Sequence, residues 1–175
     1  MTKERFVIAL QPIGSVDVVF LKSLRRPLAS LFKEQIAIVR PLPVPSESFL
    51  PGRRQYDADT ILHGITTAGP ANRTLGVIDV DLFVRGLNFV FGLADEIGMR
   101  ALISLWRLRQ ETYGLPRNDE LFRRRALTEA VHELGHTYGL GHCSSVSCVM
   151  HFSNSLSETD SKGWDFCAAC RRKTG

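Results

Sequence analysis

Eleven consecutive residues hold the side chains best suited to chemistry: His132-Glu133-Leu134-Gly135-His136-Thr137-Tyr138-Gly139-Leu140-Gly141-His142. On an α-helix His132 and His136, four positions apart, stack on one face. Two imidazoles so placed can share one metal ion, with Glu133 beside them to handle a proton from a metal-activated water. Gly139 stands where the helix would end in a left-handed residue, a conformation that costs glycine no steric penalty. The chain can then turn and bring His142 back as a third nitrogen ligand. Three protein ligands leave a tetrahedral zinc one open position, the layout of a catalytic site. The longer HExxHxxGxxH form sets this stretch apart from a chance HExxH.

A second set of ligand types follows at once. All four cysteines lie in the last 33 residues, as Cys143, Cys148, Cys167 and Cys170. The start of the chain has only five apolar residues, Phe6–Leu10, where a secretory leader needs about 7–15, so it reads as a strand. Without an export signal the thiols are expected to stay reduced, and two paired cysteine knuckles then look like a tetrahedral four-thiolate zinc site. A segment this short also needs such a staple, because chains below about 40 residues seldom bury enough surface to order themselves.

Something rigid must hold the histidines in place. Asn118 or Asp119 can cap a helix whose Leu127, Val131, Leu134 and Tyr138 fall on one face, leaving His132, Glu133 and His136 to point the other way, into a cleft. Upstream, Phe6–Leu10, Gln35–Val39, Thr74–Val80, Asn88–Leu93 and Arg100–Leu108 read as strands, and Gly92 marks a bulge or a close approach. Helices are expected after Ser15 or Asp17, with a stripe of Val16, Phe20, Leu24, Leu28 and Leu31, and over Asp57–Thr66. His63 has no second ligand at helical spacing and reads as structural. Asp79 and Asp81 read as turn formers, and the Pro-rich stretch 41–51 as an exposed connection.

The chain as a whole is ordinary. Its 175 residues, 44% hydrophobic and 23% charged, suit one domain with a small appendage. No apolar run approaches the roughly 18 residues that cross a bilayer, so a cytoplasmic protein without a membrane partner is expected. The net charge of +4 gathers at Arg123-Arg124-Arg125 and Arg171-Arg172-Lys173, which read as a solvated helix face and tail; nucleic acid is not an expected partner.

These residues resemble the archaemetzincins, a branch of the metzincin metallopeptidases. The similarity is most specific from Glu129 to Cys170: HELGHTYGLGHC, Cys148-Val149-Met150, Phe152-Ser153-Asn154-Ser155, Asp160 with Lys162, and Cys167-Ala168-Ala169-Cys170. Weaker echoes are Arg54-Gln55-Tyr56, Gly76–Asp81 and Asn88–Gly92. The resemblance implies an α/β fold with a twisted five-stranded mixed sheet packed on helices, an active-site helix, and a small zinc-stapled C-terminal segment. It divides the chain into a catalytic part, 1–142, and a C-terminal part, 143–175. It implies two zinc ions per chain, a catalytic one on His132, His136 and His142 and a structural one on the four cysteines. Glu133 would be general base and acid, and Met150 the hydrophobic floor of a Met-turn. Some metzincins carry a tyrosine two residues beyond that methionine; Phe152 stands there and has no hydroxyl for an oxyanion.

The expected function is zinc-dependent peptide hydrolysis of a peptide or protein substrate by a monomer, with internal cleavage and aminopeptidase action both open. An antiparallel edge strand, placed at Asn88-Phe89-Val90-Phe91-Gly92, is expected to bind substrate backbone by strand addition. The competing expectation is a weak or inactive zinc protein whose basic tail and four-cysteine module bind a partner or nucleic acid.

Overall fold

The apolar run near the amino end becomes strand β1, Val7–Ile13, in the computed structural model, which describes residues 7–66 and 71–174. Phe6 and the segment Met1–Arg5 lie outside the described residues. β1 outlasts its purely apolar stretch because it has a parallel neighbour on each side, and both Gln11 and Pro12 are buried between them. Gly14, at φ +69°, ends the strand. The Asp17 carboxylate then accepts the Val19 N–H and caps helix α1, Val18–Phe32, which buries Phe20, Leu21, Leu24, Leu28 and Phe32.

Strand β2, Gln35–Ile38, is followed by two short strands, β3, Phe49–Leu50, and β4, Gln55–Asp57, and then by helix α2, Ala58–Gly64. Strand β5, Arg73–Ile78, precedes the short β6, Leu82–Phe83; β7 is Gly92–Asp95 and β8 is Arg100–Ser104. The main sheet has the order β2-β1-β5-β8-β7. Its first four strands are mutually parallel and β7 is the antiparallel edge. This is the mixed five-stranded sheet that the resemblance implies. The small strands form a second sheet, β3-β4-β6. The Pro-rich stretch before it is an ordered cover: Leu42 bridges Ile13, and Leu42 and Val44 pack on a second apolar cluster around Ile61, Leu62 and Ile78.

The edge strand sits further along the chain than the expected Asn88–Leu93 and shares only Gly92 and Leu93 with it. Residues 88–91 alternate in the manner of a strand for other reasons. Val90 bridges to Leu82 of the small sheet, while Phe91 is 5% exposed and belongs to the main core. Arg107 lies over the Phe89 ring at 4.3 Å, and Arg53 and Gln55 donate to the Asn88 carbonyl. Period-two alternation records burial on two sides; here the two sides are different sheets. Asp79 and Asp81, expected as turn formers, hold Arg109 and Arg107 in ion pairs of 2.5 Å each.

Helix α3, Asp119–Thr137, starts with Asn118 accepting the Leu121 N–H and packs on β8 and β7. Val131 and Leu134 are fully buried, and they join α1, β1 and β5 in one core. Arg125, read from sequence as part of a solvated face, is 5% exposed. It donates to Asp160 at 2.7 and 2.6 Å and to the Leu108 carbonyl, pinning α3 to helix α4, Leu156–Ser161. A last helix, α5, Ala168–Thr174, carries Cys170 into the same core. Among the described residues no helix is long and apolar enough to cross a membrane.

Candidate active site

α3 delivers His132, Glu133 and His136 to the concave side of the molecule, and its exit delivers the rest. Gly135 and His136 carbonyls accept the Tyr138, Gly139 and Leu140 N–H groups, and Gly139 takes φ +77°, as expected of the residue that ends the helix. The bend returns His142. Ring centroids are 4.8 Å apart for His132–His136, 5.1 Å for His136–His142 and 5.5 Å for His132–His142. One ring nitrogen from each lies within 4.8 Å of the other two.

The outward-facing nitrogens are spoken for. His132 Nδ1 donates to the Val149 carbonyl at 2.8 Å, and His136 Nδ1 to the Leu140 carbonyl at 2.7 Å. Each donation fixes the tautomer that leaves Nε2 with a lone pair. Those two Nε2 atoms face each other at 3.2 Å. Two lone pairs so close repel unless a cation stands between them. Zinc–nitrogen bonds of about 2.0–2.1 Å in a tetrahedron put ligand nitrogens about 3.4 Å apart, so the donors fit that ion. Burial, then the Lys162 charge, pulls the His132 imidazolium down to about 3; burial also lowers His136 and His142. Burial thus favours the neutral form in all three rings, the form that ligates a metal.

Glu133 is 7% exposed, and burial, with the Glu129 charge next in weight, pushes its carboxyl well above the ordinary range. A dication held by the three histidines would offset that penalty and favour the carboxylate. Its position depends on a missing side chain. A Cβ on Gly92 would lie 2.6 Å from both Glu133 Cγ and Oε1, and 2.7 Å from the Leu102 carbonyl. The close approach foreseen at Gly92 is thus an approach to Glu133. Gly92→Ala is expected to displace that carboxylate and lower kcat roughly 100-fold, the usual penalty for about 1 Å of misplacement. Metal content and melting temperature, measured on the same sample, check that the loss is local.

Beneath the histidines, Met150 packs so closely on Gly135 that a Cβ there would strike its sulfur. Phe152 lies on the other side, its ring 4.8 Å from that of His142. The cleft above has a volume of about 570 Å³, and its walls include Leu87, Phe89, Phe91, Leu93 and Phe152. Asn88, Val90 and Gly92 line it too, so all five residues expected to meet substrate border the cleft, although only Gly92 belongs to the edge strand.

Sequence reasoning missed the buried pair behind His132. Lys162 is 1% exposed, 3.5 Å from Glu129, and donates to the His151 carbonyl; Thr159 also donates to Glu129. Its Nζ comes within 3.4 Å of His132 Nδ1, whose proton already goes to Val149, so the contact is charge beside a ring and not a hydrogen bond. Asp160 with Lys162 was visible as a motif, but nothing in its spacing showed that Glu129 is the partner. Lys162→Met strands a buried carboxylate and is expected to cost about 3–5 kcal/mol, most of it restored by adding Glu129→Gln. Denaturant unfolding of the single and double variants measures this.

The four thiols converge as well. Their sulfurs lie within 4.8 Å of one another, none in a disulfide, with Cys143 and Cys167 sulfurs 3.9 Å apart. Zinc–sulfur bonds of about 2.3 Å give tetrahedral edges of about 3.8 Å, so these donors also fit zinc. The Cys170 backbone N–H brings the Cys167 thiol down to about 7, towards the thiolate a metal needs. The basic clusters, by contrast, are dispersed: Arg125 is buried, and Arg171 pairs with Asp165.

Comparison with known proteins adds to this geometry. The sequence model of peptidase family M54 matches residues 48–174. The chain is 42% identical to the archaemetzincin of Methanocaldococcus jannaschii, across 95% of this chain and 91% of that one. To the archaemetzincin of Archaeoglobus fulgidus it is 38% identical, across 95% and 97%. A crystal structure of the Archaeoglobus fulgidus protein, complexed with malonate, superposes with a TM-score of 0.84 over 96% of this chain and 99% of that one, at 37% identity. A zinc-dependent peptidase from Methanocorpusculum labreanum superposes with a TM-score of 0.86 over 96% and 100%, at 29% identity.

Proposed function

Since this chain belongs to peptidase family M54, the archaemetzincins, and so to the zinc metallopeptidases, we propose that it hydrolyses peptide bonds with Glu133 as proton carrier. In this reading His132, His136 and His142 hold a catalytic zinc, and Cys143, Cys148, Cys167 and Cys170 hold a structural one. The observation that carries it is the pair of Nε2 lone pairs facing each other at 3.2 Å with Glu133 alongside. Zinc held there supplies a Lewis acid and renders water acidic near neutral pH.

The chain's own residues do the rest. Glu133 takes a proton from the attacking water and passes it to the leaving amine. Gly92 keeps that carboxylate in place. The free edge of β7 offers main-chain groups to an extended substrate, and the apolar walls exclude bulk water. Phe152 provides no hydroxyl, so the oxyanion receives no help from that position. Met150 serves as floor to the imidazoles. Residues 1–142 form the catalytic part and 143–175 its zinc-stapled extension. Cys148, Val149, Met150 and Phe166 share one core with α1 and α3, which supports a cooperative unit over two independent ones.

The test is metal analysis of the purified protein together with digestion of a defined peptide library. Two zinc ions per chain and cleavage products that disappear with Glu133→Gln are expected. Intact peptides in the presence of a fully zinc-loaded protein would overturn the reading.

A further inference from the structure

The cleft contains one exposed carboxylate that the proposed chemistry leaves unused. Glu96 follows β7 directly and lines the cleft with Ala94 and His136. Its Oε1 lies 3.1 Å from where a Cβ on Gly139 would stand, over the bend that leaves α3. The adjacent acid is already committed: Asp95 binds Arg100 at 2.6 Å and accepts the Gly98 N–H. Among the described residues Glu96 is in no ion pair, and the lysine that lines the cleft, Lys162, is engaged with Glu129.

We propose that Glu96 selects substrates bearing a positive charge on the N-terminal side of the scissile bond, either a free amino terminus or a lysine or arginine side chain. The proposal rests on the peptidase reading and adds a substrate class to it. The side follows from strand register. Gly92 touches Glu133, so the reacting bond lies opposite the start of β7. A substrate pairing antiparallel with the free edge, as β8 does with the other edge, has the residues before that bond facing Leu93–Glu96. Glu96 is four positions beyond Gly92, roughly 13 Å along an ideal strand, and that span covers the first three or four residues before the bond. Of the other charged side chains lining the cleft, Glu129 and Lys162 pair with each other and Glu133 belongs to the proposed chemistry, so Glu96 sets the charge preference there.

Matched peptides decide it. One series has a free or an acetylated amino terminus; another has lysine or norleucine at each of the three positions before the bond, and at the three after it. Two readouts are taken: kcat/KM with the zinc-loaded protein, and equilibrium binding of labelled peptides to the zinc-loaded Glu133→Gln variant, which needs no turnover. The cationic peptides are expected to be favoured about threefold to fivefold in both, the worth of one exposed ion pair. The ratio should shrink as salt is raised, fall to near one with Glu96→Gln, and invert with Glu96→Lys. Loss of the preference on acetylation alone identifies the amino terminus as the ligand; loss with norleucine alone identifies a side chain. A preference that survives Glu96→Gln, one confined to positions after the bond, or none in the native protein overturns the assignment. The two readings fail separately. Charge-selective binding without any cleavage defeats the peptidase and leaves Glu96 standing, whereas cleavage indifferent to charge does the reverse.

Discussion

Glu133→Gln is expected to lower kcat by at least about 10³-fold while zinc stays bound at both proposed sites. General acid–base catalysis contributes typically 10²–10⁴-fold, and in the proposed mechanism one carboxylate serves both proton transfers, so the loss falls in the upper part of that range. The amide has the shape of the acid and fits the space between Gly92 and α3, so no repacking accompanies the change. It cannot accept a proton from water or return one to an amine. Single-turnover digestion, combined with metal analysis, separates loss of chemistry from loss of zinc. Glu133→Asp is the companion variant: it keeps the acid and withdraws it by about one methylene, so some turnover should survive. Unimpaired cleavage by the Gln variant would remove Glu133 from the mechanism.

The second large effect is expected from a cysteine that touches neither substrate nor Glu133. Cys148→Ser should abolish zinc binding at the proposed four-cysteine site and weaken it at the three histidines about 10- to 100-fold, the range seen when the partner of a liganding imidazole is lost. The route is short and covalent. Cys148 precedes Val149, whose carbonyl fixes the His132 ring, and Met150, which packs on Gly135. Met150 in turn accepts the N–H of Cys143, the residue after His142. Structural zinc contributes about 10–16 kcal/mol in isolated finger peptides; part of that is retained here, because residues 143–175 also share the main apolar core. Zinc stoichiometry and competition against a chelator measure both losses. Undiminished affinity at the histidines would show that the sites are independent.

The convergence of the three histidines was legible because their spacing is a property of local geometry. Four residues along a helix bring His132 under His136 whatever the rest of the chain does, and the glycine that ends the helix must come where it can take a positive φ. The apolar stripe of α1 and the capping by Asp17 and Asn118 were legible for the same reason. What failed depends on which elements meet. Residues 88–91 alternate like one strand yet serve two sheets, so the edge strand was placed too early. Arg125 sits in a run of three arginines, and only the position of Asp160, 35 residues on, shows that it is buried. The pairing of Glu129 with Lys162 and the exposure of Glu96 at the cleft are equally long-range facts. No periodicity encodes them.

All seven proposed metal donors lie between His132 and Cys170, whereas the sheet that supports them is complete by Ser104. A chain emerging from a ribosome can therefore assemble its sheet before any of these seven donors has been made, since proteins tend to fold from the amino end as they are synthesised. Hydrolytic competence then arrives only with the closing stretch of translation, and a stalled or prematurely terminated product would be an inert fragment instead of an unregulated protease.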